Sequence, residues 1–128
     1  MKKIFTLIAL TISFSMNAQI STNNTSNSGN DASAMGLGTT ASGAFSTAMG
    51  QNTTASGSRS TAMGYGTTAS GLGSTAMGRG TTVSGDYSIA MGYESTAMGG
   101  YTTASGLGST ASGEISTAMG AYSIASGA

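Results

Sequence analysis

Residues 60–73 read STAMGYGTTASGLG, from Ser60 through Gly73. The two halves are variants of one seven-residue unit: Ser or Thr, Thr, Ala, Met or Ser, Gly, then two free residues. Stepping outward from this stretch, the fifth-slot glycine recurs fourteen times without insertion or deletion, from Gly36 through Gly64 to Gly127. A chain that keeps its step so strictly is stacking one unit on itself, so the repeat decides the fold.

Aligned in sevens from Ala32, the slots differ sharply in tolerance. The first is Ser or Thr except Ala32, the second is Thr except Ser33, Ile89 and Ile124, and the third is Ala except Val83. The last two slots vary freely. They hold every aromatic residue of the repeats (Phe45, Tyr65, Tyr87, Tyr93, Tyr101 and Tyr122) and every charge (Arg59, Arg79, Asp86, Glu94 and Glu114). Five slots obey a packing constraint, and two read as exposed connections.

A period of seven also describes a coiled coil, but that reading fails. It would set a Gly in every second helical turn, each costing about 1 kcal/mol relative to Ala, and it lacks two large apolar positions per heptad. A short strand plus a turn fits better, since Thr suits strands and Gly accepts positive φ. The expectation is five residues of strand and two of turn. Side chains alternate along a strand. The first and third slots therefore face one way, and the near-invariant Ala places that face in a narrow interior between two sheets. The second and fourth slots face outward.

The fourth slot alternates Met35, Ser42, Met49, Ser56, Met63, Ser70, Met77, Ser84. Successive strands thus differ on their outer surfaces, and two make one coil of fourteen residues. About seven coils follow between Ala32 and Ala128, an all-β parallel solenoid about 33 Å long. The alternation slips once, where Met91 is followed by Met98 and Ser105 by Ser112. Either Met98 faces solvent and Ser105 is buried, or the coil is rearranged there.

An exposed Met stripe on a regular sheet implies a partner. Ordering the backbone costs roughly 1–2 kcal/mol per residue, an Ala interior returns little, and burying one Met side chain returns about 1.5–3 kcal/mol. Met35, Met49, Met63, Met77, Met91 and Met119 are therefore the expected oligomer interface.

The units STAMG, SIAMG and STASG resemble the head repeats of trimeric autotransporter adhesins, the YadA-like head, whose fourteen-residue repeat is close to SVAIGxxSxAxGxx. Ser60, Ala62, Met63 and Gly64, then Thr67, Ala69 and Gly71, match slot by slot, and the match runs from Ala32 to Ala128. Thr and Met stand where that family usually has Val and Ile. The resemblance implies a left-handed parallel β-roll, homotrimeric about a long axis and displayed on a bacterial surface for adhesion. The family's neck, stalk and membrane-anchoring barrel are not in this sequence; the repeat is expected to continue beyond Ala128, and any membrane attachment to come through such an anchor.

Outside the repeats, Lys2 and Lys3, an apolar run from Ile4 to Phe14 and a small residue at Ala18 read as a signal peptide over residues 1–18. This segment makes the chain exported, to the outer surface or the medium. Residues 19–31 are polar and are expected to form a disordered arm, leaving 32–128 as the repeat domain.

Chemistry is not visible in the chain. There is no His or Cys, and Lys occurs only at the extreme N-terminus, so serines lack a usual general base and thiolate metal sites are excluded. No phosphate-cradling glycine motif or acidic calcium repeat is present. After signal removal two Arg face four acids, so nothing steers nucleic acid or anionic membrane. The expectation is a non-enzyme without cofactor or metal.

Surfaces remain. Thr40 and Ser42, Thr54 and Ser56, Thr68 and Ser70, and Thr82 and Ser84 form one candidate ligand face, with Arg59, Arg79, Tyr65 and Tyr93 on the rims as binding anchors. The foremost reading is an adhesin head that binds matrix, glycan or cell-surface ligands. The alternatives are an ice-binding solenoid that uses the hydroxyl face, and a passive fibre or spacer segment.

Overall fold

In the computed structural model, which describes residues 24–127, fifteen strands follow one another with no helix between them. Numbered in chain order, the odd strands are short: β1 (Ser26–Asn27), β3 (Thr40–Ala41), β5 (Thr54–Ala55), β7 (Thr68–Ala69), β9 (Thr82–Val83), β11 (Thr96–Ala97), β13 (Thr110–Ala111) and β15 (Ile124–Ala125). The even strands are long: β2 (Ser33–Leu37), β4 (Thr47–Gln51), β6 (Thr61–Tyr65), β8 (Thr75–Arg79), β10 (Ile89–Tyr93), β12 (Thr103–Leu107) and β14 (Thr117–Ala121). The short strands form one parallel sheet and the long strands another, each strand pairing with the one fourteen residues away. The chain is a parallel β-solenoid of about seven coils, as the fourteen-residue period predicts.

The interior is what the tolerant and intolerant slots imply. First-slot hydroxyl residues and third-slot alanines point inward; Ala41, Ala48, Ala55, Ala62, Ala69 and Ala76 are fully buried, and Val83 occupies the same column without exposure. Several inner hydroxyls bond to backbone carbonyls: Ser74 Oγ donates to the Gly71 carbonyl at 2.7 Å and Ser88 Oγ to that of Gly99 at 2.9 Å. Those of Thr39, Thr53 and Thr67 are buried without a protein partner.

The expected division into five strand and two turn residues is corrected by the two sheets. Long strands run from the second slot through the sixth, and short strands occupy only the second and third. The fifth-slot glycine therefore does two jobs. In the long sheet it lies inside the strand with φ between 109° and 128°, a region L-residues avoid. In the short sheet it is outside the left-handed region from Gly43 through Gly113, with only the terminal Gly127 at φ 67°, and its constraint is steric: a Cβ on Gly57 would collide with the Gly71 carbonyl one coil on. Neither is the turn residue. That role falls to the seventh slot, which is left-handed at every coil, with φ between 52° and 66°. The flip aims its N–H back along the stack, so Asn52 donates to the Leu37 carbonyl at 2.7 Å and Arg59 to that of Ala44 at 2.8 Å.

The polar arm expected over 19–31 is also corrected where it is described. Ser26–Asn27 pairs with Thr40–Ala41, Gly29 N–H donates to the Ala41 carbonyl at 3.2 Å, and Phe45 N–H donates to that of Asn30 at 2.7 Å. Thr25 to Asp31 is thus one more unit, in phase through Gly29, with Asn27 where Ala normally sits. Residues 1–23, which include the expected signal peptide, lie outside the described residues.

Candidate functional site

Alternation along each strand turns the second and fourth slots outward, so each sheet presents two parallel columns. On the long sheet these are Thr47, Thr61 and Thr75 beside Met35, Met49, Met63, Met77 and Met91, all in direct register. Each of these methionines is half-buried. Register puts Ser105 next and Met119 after it, the latter 70% exposed on the terminal long strand.

The phase slip is thereby resolved without rearrangement. Register continues unbroken through β10, β12 and β14 and through β9, β11 and β13. Met98 stands on the short-sheet surface, 49% exposed, and Ser105 takes its place in the Met column, half-buried. A shift of one strand would break every ladder bond beyond it, which far outweighs one misplaced side chain.

The short sheet carries Thr40, Thr54, Thr68 and Thr82 in register, with Ser42, Ser56, Ser70 and Ser84 exposed alongside. Ser70 Oγ donates to the Val83 carbonyl at 3.1 Å, so this hydroxyl is partly engaged by the backbone. The column is uniform until Met98 interrupts it.

Candidate anchors divide between two rims. On the rim that follows the long strands, Tyr65, Arg79 and Tyr93 are successive partners in register. The Arg79 guanidinium lies between the two rings, 5.5 Å from that of Tyr65 and 5.4 Å from that of Tyr93. On the opposite rim Arg59 sits 5.9 Å from the Phe45 ring. The four rim anchors thus do not form one surface with the Thr/Ser face. Tyr101 follows a Met unit in sequence, yet it lies on the rim of the short strands. There it stacks on Tyr87 with centroids 5.4 Å apart and planes 15° from parallel. Asp86 on that rim accepts a hydrogen bond from Leu72 N–H at 2.8 Å, which ties its carboxylate to the turn of the preceding coil.

The two rims also differ in what fills the left-handed slot. After the long strands it is Gly38, Gly66, Gly80 and Gly108, and otherwise Asn52, Glu94 and Tyr122; after the short strands only Gly73 is a glycine. Sequence reading missed this slot because Phe45, Tyr87 and Ile115 disguise it. The clustering of Gly, Asn and Asp in seventh positions was the available signal.

Among the described residues no three of His, Cys, Asp and Glu gather into a metal-holding group, and no helix is long and apolar enough to cross a membrane. The molecule's chemistry resides in columns: one thioether, two of threonine, one of serine and two mixed rims. Such a structure defines a solenoid repeat module. The model of the YadA head domain repeat (2 copies) matches residues 28–53, 41–67, 55–81, 69–95 and 92–113, more than half of the chain, and the chain belongs to this family. The first match begins within the unit that contains Gly29. No curated protein is similar enough to the chain to count as a match.

Proposed function

We propose that this adhesin-like repeat module is the head of an exported surface adhesin. In this reading three copies of a left-handed roll close around a long axis with their long sheets inward. The supporting observation is the Met column: five thioether side chains in unbroken register, half-exposed on a single chain. A three-fold closure would bury this face and leave the Thr/Ser face and rims outward. The module then acts by contact, without catalysis. Three copies raise effective concentration, so weak sites for matrix protein, glycan or cell-surface ligands add up to useful avidity. Multi-angle light scattering on the chain from residue 20 onward tests the assembly. A trimer supports the proposal and a stable monomer ends it. Retention of the trimer on a panel of matrix and glycan ligands tests adhesion separately.

A second reading rests on the in-register Thr40, Thr54, Thr68 and Thr82 column with its neighbouring serines, a flat hydroxyl and methyl array of the kind ice matching requires. Exposed Met98 interrupts the array. Thermal hysteresis decides it: a freezing-point gap supports this use of the face, and its absence removes it.

A further inference from the structure

The long-sheet column poses a question that an apolar contact surface does not answer. Strand positions favour β-branched residues, and the chain uses them outward elsewhere, at Ile89 and Ile124. Yet the fourth slot of the long strands is Met in six of seven coils. A Met side chain also loses more rotamer freedom on burial than Ile. What Met offers and Ile lacks is a sulfur lone pair.

The register makes those sulfurs a ligand set. Met35, Met49, Met63, Met77 and Met91 are direct partners on adjacent parallel strands, which lie about 4.8 Å apart. A zinc–thiolate bond is roughly 2.3 Å, and two metal–sulfur bonds of about that length placed end to end span nearly the same distance. Neighbouring thioethers can therefore hold an ion between them in the two-coordinate geometry that soft monovalent cations accept. The second-slot column beside them holds Ser33, Thr47, Thr61, Thr75 and Ile89, the fifth slot offers glycine backbone, and the chain contains no His or Cys. A donor set of thioethers alone selects Cu(I)-like ions over zinc or calcium.

We propose that the Met column is a soft-metal site, binding Cu(I) or Ag(I) between adjacent long strands of one chain. Each sulfur donates a lone pair and water leaves the ion, with no change in oxidation state. Five consecutive sulfurs make two independent pairs. The pairs form within one chain, so the donors need no second copy, although this is the same face that the three-fold closure proposed above would cover.

Two double substitutions test this, since each removes two methionines and replaces them with residues of similar volume. Met49→Leu with Met77→Leu leaves Met35, Met63 and Met91 with no thioether on an adjacent strand. Met98→Leu with Met119→Leu leaves all five column partners intact, since Met119 pairs with Ser105 and Met98 lies on the other sheet. Ag(I) is the probe, titrated into the whole chain, with stoichiometry from native mass spectrometry and folding from circular dichroism. The expected result is two ions per chain, held about 100-fold more tightly than by N-acetylmethionine amide because the second sulfur is already in place. The Met98/Met119 variant should match the parent, and the Met49/Met77 variant should fall to the affinity of the free amide. Binding no tighter than the amide in the parent overturns the proposal. So does binding retained in a folded Met49/Met77 variant, which would assign the sulfurs to different copies of the chain.

Discussion

The two sheets are built from nearly the same unit and behave differently. Both put Ser or Thr in the first slot, Thr in the second, Ala in the third and Gly in the fifth. One ladder runs five residues and the other two. The difference is not written in the unit itself. In the coil over residues 95–108 the two unit types exchange places: STAMG stands in the short sheet and TTASG in the long one. The backbone ignores the exchange. Gly106, after Ser105, has φ 128° like every long-sheet glycine, and Gly99, after Met98, does not enter the left-handed region. Position in the coil, enforced by the ladder bonds of the neighbouring coils, determines the geometry. The fourth slot determines only what the surface offers.

This contrast can be broken first at the glycines. Gly57→Ala and Gly64→Ala each drive a Cβ into the carbonyl of the next coil, with no flexible side chain to yield. Each should cost more than about 3 kcal/mol. Gly64→Ala should be worse by about 1–2 kcal/mol because its φ of 121° is also forbidden. Thermal melts followed by circular dichroism check both; equal losses would mean that φ contributes nothing in the long sheet.

Next come the faces. Met63→Asp with Met77→Asp places charge in the column proposed to be covered, and light scattering should show single chains. Ser56→Asp with Ser70→Asp on the short sheet should leave the assembly mass unchanged. A drop in mass for the second pair would move the interface to the hydroxyl face.

Restoring the alternation is a gentler intervention. Met98→Ser with Ser105→Met removes an exposed thioether and completes the column, which should stabilise the fold by about 1–2 kcal/mol from apolar burial. The glycine conformations should not change, since they follow coil position. The gain would appear as a raised midpoint in calorimetry, and a loss would show that Ser105 has a role of its own.

The smallest effects belong to the rims. Gly66 has open space where a Cβ would point, so Gly66→Ala isolates the left-handed penalty, about 1 kcal/mol. Ile115 is 81% exposed at φ 54°, with a β-branched side chain that gains little from packing. Ile115→Gly should therefore stabilise by a similar amount, measured as a shift in urea midpoint. Effects of the same sign would sink the assignment of the seventh slot as the turn residue.

Much of this was legible because the repeat forbids variation where packing is tight. Near-invariant Ala in the third slot placed the interior, and the Met and Ser alternation separated two outer faces. The arm before Ala32 was misjudged because Asn27 replaces the marker alanine, although Gly29 holds the phase. The rim of Tyr101 could not be read from Met98 before it, since the rim follows the place of the unit in the coil and not its type. The pairing of Arg79 with Tyr65 and Tyr93 needed the fourteen-residue register to be taken as physical adjacency. The unequal strand lengths were hidden altogether, since they arise from φ at a residue whose letter is the same on both sides.

The independence of backbone from unit type has a hereditary consequence. Loss or gain of fourteen residues would shorten or lengthen the rod and leave every surviving surface as it was. Loss of seven would move every downstream long-sheet methionine onto the hydroxyl side and bring serines into the thioether column, in a chain whose ladders can still form. Mutations of this kind would be invisible to a test of folding and fatal to whatever reads the surface, so selection on the array must act through its faces and only in double steps.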